Sequence, residues 1–249
     1  MTQENQGLGE QALNKAAEIG LASQLDEVEN LDVNLKTDPL KLVTGEVESV
    51  TIEGEGMVMQ GDLRVEELAM EMSGVAINPL SAAFGKIELT KPTQGSASVV
   101  LTESDINRAF NSEYVRDRLQ KTQISIDGQP MTVIPQQVEF HLPEPGKIAL
   151  KATVLLQETS KLEKVAFTAV PQVSADGQTI TLKDVQYGEE KEISPELTKA
   201  LIDETSSILN LSNFELQGMS LKIDDLKIEA NQLRIQAQAY VEQIPSGGS

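Results

Sequence analysis

No cysteine occurs among the 249 residues, so disulfides, thiol nucleophiles and Cys-based zinc sites are excluded from the start. His141 is the sole histidine, which leaves Ser-His-Asp or Cys-His catalysis almost without candidate bases. Tryptophan is missing, and Phe and Tyr together number eight, too few for stacking platforms that hold bases or sugars. Basic residues are scarce too: 20 Lys and Arg stand against 39 Asp and Glu, a formal net charge of −19. The excess is local, because residues 1–78 hold 16 acidic and 4 basic side chains, −12 of the total. Such a field repels phosphate backbones and anionic lipid surfaces alike, which predicts no nucleic-acid partner. Its simplest role is solubility.

Long apolar runs are lacking as well. The longest uncharged stretch, Met72 to Gly85, is too short for a membrane span and is broken by Gly74, Pro79 and Gly85. The start, Met1-Thr2-Gln3-Glu4-Asn5-Gln6, has no basic-then-apolar leader pattern. The expectation is a cytoplasmic chain that touches a membrane peripherally, if at all. Residues 246–249 read as a disordered tail after a single domain over 1–245.

What is present is period. Helical spacing appears in Leu13, Ala16, Ala17, Gly20, Leu21 and Leu25; in Ile106, Ala109, Phe110 and Tyr114; and in Leu197, Ala200, Leu201, Ile208 and Leu209. The second of these opens with a capping box at Thr102 and Asp105, and the third with Pro195 at the first helical position after Ser194. The three begin near residues 8, 103 and 195, so a helix followed by strands recurs roughly every 90–95 residues. Strict alternation marks the strands between them. Ile148, Leu150, Ala152, Val154 and Leu156 share one face opposite Lys147, Lys151 and Thr153. Leu233, Ile235, Ala237, Ala239 and Val241 form another such face, and Val138, Phe140, Leu142 and Leu221, Ile223 form shorter ones. Ala175-Asp176-Gly177-Gln178 is a hairpin turn signal. One wet and one buried face is the habit of antiparallel sheets, and crossover helices are too few for a parallel one, so the class is α+β. A shorter repeat of period 40 joins Asp38-Pro39-Leu40 with Gly45, Val47 and Glu48 to Asn78-Pro79-Leu80 with Gly85, Ile87 and Glu88. Each copy reads as a cap, a short helix and a terminating glycine.

Chemical motifs are weak. Strand parity points His141 outward beside Glu139, without the further ligands a metal needs. Gly54-Glu55-Gly56 lacks the third glycine and the following helix of a dinucleotide loop. Adjacent acid pairs such as Asp203-Glu204 and Asp224-Asp225 diverge on any regular element. The reading is therefore no catalytic residue, no metal and no cofactor. The remaining signal is apolar: Met57, Met59, Met70 and Met72 pair at i, i+2, and flexible methionine suits variable apolar ligands. A groove for acyl chains has this composition, and so has an ordinary aliphatic core; the residues alone leave both open.

Several stretches together carry a resemblance. Val47 to Met59, with Thr51-Ile52-Glu53-Gly54-Glu55-Gly56 at its centre, leads into Asp62-Leu63-Arg64-Val65-Glu66-Glu67-Leu68. Asn78-Pro79-Leu80-Ser81-Ala82-Ala83-Phe84-Gly85-Lys86-Ile87 and Leu101-Thr102-Glu103-Ser104-Asp105-Ile106-Asn107-Arg108-Ala109-Phe110-Asn111-Ser112 follow. In combination they resemble the cyanobacterial branch of the LmeA-like family over most of residues 30–245. The family's namesake is a secreted mycobacterial phospholipid-binding protein that influences lipomannan elongation. Its fold is similar to the tubular lipid-binding class. The resemblance implies a long, strongly curved antiparallel sheet wrapped around amphipathic helices, with an apolar channel. It also implies non-enzymatic binding or transfer of phospholipid or glycolipid acyl chains, with transient membrane contact. The alternative is a scaffold with a filled core that acts through a protein partner. The candidate lipid-binding residues are Met57, Met59, Met70, Met72, Leu80, Phe84, Ile106, Phe110, Tyr114, Leu150, Val154 and Leu156.

Overall fold

The computed structural model describes residues 8–38, 41, 43–59, 62–78, 88–119, 123–126, 128–188, 195–208, 219–229 and 231–242. Among them the chain is mostly antiparallel sheet with few helices, and one sheet is strongly curled into a half-barrel. Helix α1 (Leu8–Ala22) leads into strands β1 (Asn30–Lys36), β2 (Glu46–Met59), β3 (Leu63–Ala76) and β4 (Thr93–Thr102). Helices α2 (Glu103–Asn111) and α3 (Glu113–Leu119) precede β5 (Gln123–Ile126), β6 (Gln129–Glu144), β7 (Lys147–Leu156), β8 (Lys161–Val173) and β9 (Ile180–Tyr187). Helix α4 (Pro195–Ile208) precedes β10 (Met219–Glu229) and β11 (Gln232–Val241). The helix-then-strands order read from the sequence is the order of the chain. The strands form two sheets, however: six in the order β1-β2-β3-β4-β11-β10, and five in the order β5-β6-β7-β8-β9.

Period-2 patterning sets which face each strand buries. On β7, Val154 and Leu156 are buried while Lys151 is exposed, and the residues from Lys147 to Leu150 are all half-buried. On β6, Val138, Phe140 and Leu142 go inward. β10 keeps its parity by a bulge: the register slips between Ile223 and Asp225, so Asp224 is the extra residue. That slip returns Leu226 and Ile228 to the face begun by Leu221 and Ile223. The one helix expected from residue 103 through Tyr114 is two helices. Buried Ser112 leaves helical geometry at ψ 151° and caps the next turn, its hydroxyl donating to Ala109 O at 2.7 Å and accepting from Val115 N at 3.2 Å. Leu25 lies beyond α1, and Ala16 and Gly20 of its predicted apolar face are exposed. Of the first short helix in the period-40 repeat, Lys41 and Val43 are helical; the second, Pro79 to Gly85, lies outside the described residues, as do the tail at 246–249, Ser194 and Leu209.

The two sheets meet along a seam. Gly146, in the turn between β6 and β7, donates to Ile228 O at 3.1 Å, and Ile223 N donates to Gly177 O at 2.8 Å. The hairpin turn predicted at 175–178 joins β8 to β9 and sits against the outer edge of β10. Gly177 has φ +73°, and a Cβ there would come 2.4 Å from Ile223 O, which is backbone and cannot yield cheaply. Gly146 has φ +80° with open space around the missing Cβ. Gly146→Ala should therefore cost about 1–2 kcal/mol, the penalty of a left-handed non-glycine residue. Gly177→Ala should cost at least about twice as much, since the clash adds to the same strain. Urea unfolding of the two variants checks this ordering.

A candidate apolar binding cavity

Among the described residues, β6 beyond residue 132 has β7 on one side and no paired strand on the other. Its outward-pointing backbone groups need partners, and α2 supplies those of Phe140 and Leu142. Asn107 Nδ2 donates to Phe140 O at 2.7 Å while its Oδ1 accepts from Phe140 N at 2.8 Å, so one side-chain amide stands in for a strand neighbour. Glu103 accepts from Leu142 N at 2.8 Å and lies 2.9 Å from His141 Nδ1. His141 is thus half-exposed, as parity predicts, but its partner is Glu103 of the helix; Glu139 accepts from Gln137 instead.

The other side of α2 is tied to the six-stranded sheet. Thr102 and Asp105 complete the predicted capping box: Asp105 N donates to Thr102 Oγ1 at 3.1 Å, and Thr102 N donates to Asp105 Oδ2 at 2.9 Å. Buried Asp105 also accepts from Arg64 of β3 at 2.9 Å, and Arg64 further pairs with Glu66 and Glu29. Burial pushes the Asp105 carboxyl up, but the hydrogen bonds from Thr102 and Arg64 outweigh it and hold the group below its ordinary range. Glu66, Asp105 and Glu29 together raise the Arg64 guanidinium further still. The backbone hydrogen bond from Leu142, followed by His141, holds Glu103 low.

This arrangement aims Ile106 and Phe110 of α2 into the space between the sheets. There they line an apolar cavity of about 350 Å³, near the lower end of the roughly 300–1,000 Å³ typical of small-molecule sites. Ile148, Leu150, Ala152 and Val154 of β7 form one wall, with Val138 and Phe140 of β6 and Phe167 of β8 beside them. Leu201 and Thr198 of α4 close a second side, and Leu101, Leu226 and Leu233 of the six-stranded sheet a third. Thr198 alone among the lining residues carries a side-chain polar atom. The Phe110 and Phe140 rings lie 6.3 Å apart, tilted by 34°. A second groove, of about 490 Å³, lies on the six-stranded sheet; Asp32, Glu53, Glu55, Glu67 and Arg234 line it together with Leu31, Leu68, Ala69 and Val100, so its lining is mixed.

Of the residues singled out from sequence, the fold gathers Ile106, Phe110, Leu150 and Val154 around the cavity. Leu156 packs next to it, in the buried cluster of Ile124, Val133, Val165 and Leu197. Tyr114 is half-buried on α3. The four methionines do not meet as one group. Met57 and Met59 pair with Val65 and Leu63, whereas Met70 and Met72 pair with Ile52 and Val50, further along the same two strands. Met57 fills the place of a Cβ at Gly54, Met72 fills that of Gly95, and Met72 packs on Val47, Val50 and Val75. Leu80 and Phe84 lie outside the described residues. Sequence reasoning missed Leu101, Leu226 and Leu233, because only strand order brings β4, β10 and β11 to the cavity. Among the described residues no group of three or more His, Cys, Asp or Glu could hold a metal ion, and no helix is long and apolar enough to cross a membrane.

The sequence profile of the LmeA-like phospholipid-binding family matches residues 5–238, nearly the whole chain. The chain belongs to this family. No curated protein and no solved structure is significantly similar to it.

Two outcomes test the clamp on β6. Asn107→Ala should destabilise the fold by about 2–3 kcal/mol in urea unfolding, because Phe140 loses a donor and an acceptor together. A carboxyl held low in the folded state stabilises fully above its unfolded pKa, and that contribution disappears as pH falls through the lowered value. Stability should therefore decline below about pH 5, and the decline should be shallower in Glu103→Gln when unfolding midpoints are compared across that range.

Proposed function

We propose that this protein binds a membrane phospholipid non-enzymatically, with acyl chain held in the cavity between the two sheets. The carrying observation is the lining: hydrocarbon from both sheets and two helices around about 350 Å³ of space, with Thr198 as the one polar contributor. The family supports a lipid ligand, and the shape supports its tail as the part enclosed. From Ile148 to Val154 the β7 wall spans six residue steps, about 20 Å, against about 15 Å for the hydrocarbon of one leaflet. Lifting a chain out of a bilayer forfeits about 0.8 kcal/mol for each CH₂. Only a dry, apolar slot offsets such a loss, which is why a lining almost without polar atoms matters. The net charge of −19 opposes anionic headgroups, so contact with a membrane is apolar and transient in this reading. Phospholipid or glycolipid is the ligand class, and transfer between membranes follows if release is as reversible as uptake.

Filling the slot from either side tests the proposal. Ala152→Trp reaches in from β7 and Leu201→Trp from α4, so the slot is filled from two different elements. Each should weaken binding of a fluorescent fatty-acyl probe at least about tenfold while the circular-dichroism spectrum is kept. Unchanged probe binding in both folded variants would overturn the cavity as the acyl site.

A further inference from the structure

We infer that the inner face of the six-stranded sheet seats a second acyl chain, so that the ligand is a diacyl lipid. The inference rests on the binding reading above and adds a second seat to it.

The face is continuous with the cavity by register. Leu101 pairs with Leu233, and both line the cavity. Two residues along each strand, on the same face, a row runs Leu68–Val99–Ile235–Leu226. Leu226 also lines the cavity, so this row begins at its wall. Two residues further the row is Met70–Ala97–Ala237–Ile223. Small side chains in the two middle strands, between Met70 and Ile223, make that row a trough.

The trough has an end. In the next row Gly95 faces Met72, whose Cγ lies 2.7 Å from where a Gly95 Cβ would stand, so the methionine side chain covers the glycine. From Leu101 to Ala97 is four residue steps, about 14 Å, close to the hydrocarbon depth of one leaflet. Val99, Ile235, Ala97, Ala237 and Met70 are half-buried, as is Leu68, which also borders the charged groove, and none belongs to the four buried clusters of the described residues. The β7 wall already matches one chain, and a lipid with one tail there has its other tail beside Leu226 and Leu233. A single-chain ligand would leave this apolar strip wet.

The experiment uses two diacyl phosphatidylcholines, each with a diazirine at the end of a different acyl chain, and maps the photocrosslinks by peptide mass spectrometry. One position should label strands β6–β8, and the other should label residues 68–70, 97–99 or 235–237. Leu68→Ser with Ile235→Ser should abolish the second set and spare the first. The same pair should bring diacyl binding down to that of the matching lysophospholipid, which in the unaltered protein should be at least about a hundredfold weaker. Labelling confined to the cavity strands, or equal affinity for the one-chain and two-chain lipids, would overturn the second seat and leave the acyl cavity standing. Absence of labelling and of binding by both lipids would overturn both readings together.

Discussion

A strand edge that no neighbour pairs must find its donors and acceptors elsewhere, and the edge of β6 finds them in one helix. Asn107 presents an amide to Phe140 in the way an adjoining strand would, and Glu103 takes Leu142 N–H. The same helix is held to the six-stranded sheet by its own capping carboxylate, because Asp105 also receives Arg64. Helix α2 thereby binds the two sheets to each other along one side, while Gly146 and Gly177 join them at β10. Two edges satisfied at a distance leave an interior between the sheets, and Ile106 and Phe110 point into it because Asn107 and Glu103 point at β6.

Period 2 sorts much of the chemistry of the six-stranded sheet. Asp32, Glu53, Glu55 and Glu67 line one groove, which Leu68 also borders, while Val99 and Ile235 share the face of Leu101 and Leu233. Asp32, Glu53, Glu55 and Glu67, four of the acidic residues of 1–78, thus line a groove apart from the cavity. That separation lets a strongly acidic chain, of net charge −19, keep one cavity whose lining carries a single polar side chain.

The legible part of the site was whatever depends on local period. Ile148 to Val154 alternate without interruption, and Ile106 and Phe110 fall one helical turn apart, so both linings were readable before any fold was known. What depends on register was not. The i, i+2 pairs of methionine look like one cluster, yet the pairing of Met57 with Val65 and of Met70 with Ile52 sets them apart. The bulge at Asp224 hides the inward turn of Leu226 and Ile228, since alternation counted from Leu221 puts both outside. A single curved sheet was expected because strands alternate alike in both sheets; nothing in the alternation marks where one sheet stops. The roles of Asn107 and Glu103 span 33 and 38 residues respectively, with no local pattern to announce them.

The account stands on the interior being a seat for lipid and not merely an imperfectly filled core. Native mass spectrometry of the full chain, after incubation with phosphatidylcholine vesicles and removal of the vesicles, tests that claim most directly. One phospholipid mass per folded chain, lost on denaturation, is the predicted result. A folded chain that emerges at its bare mass would contradict it.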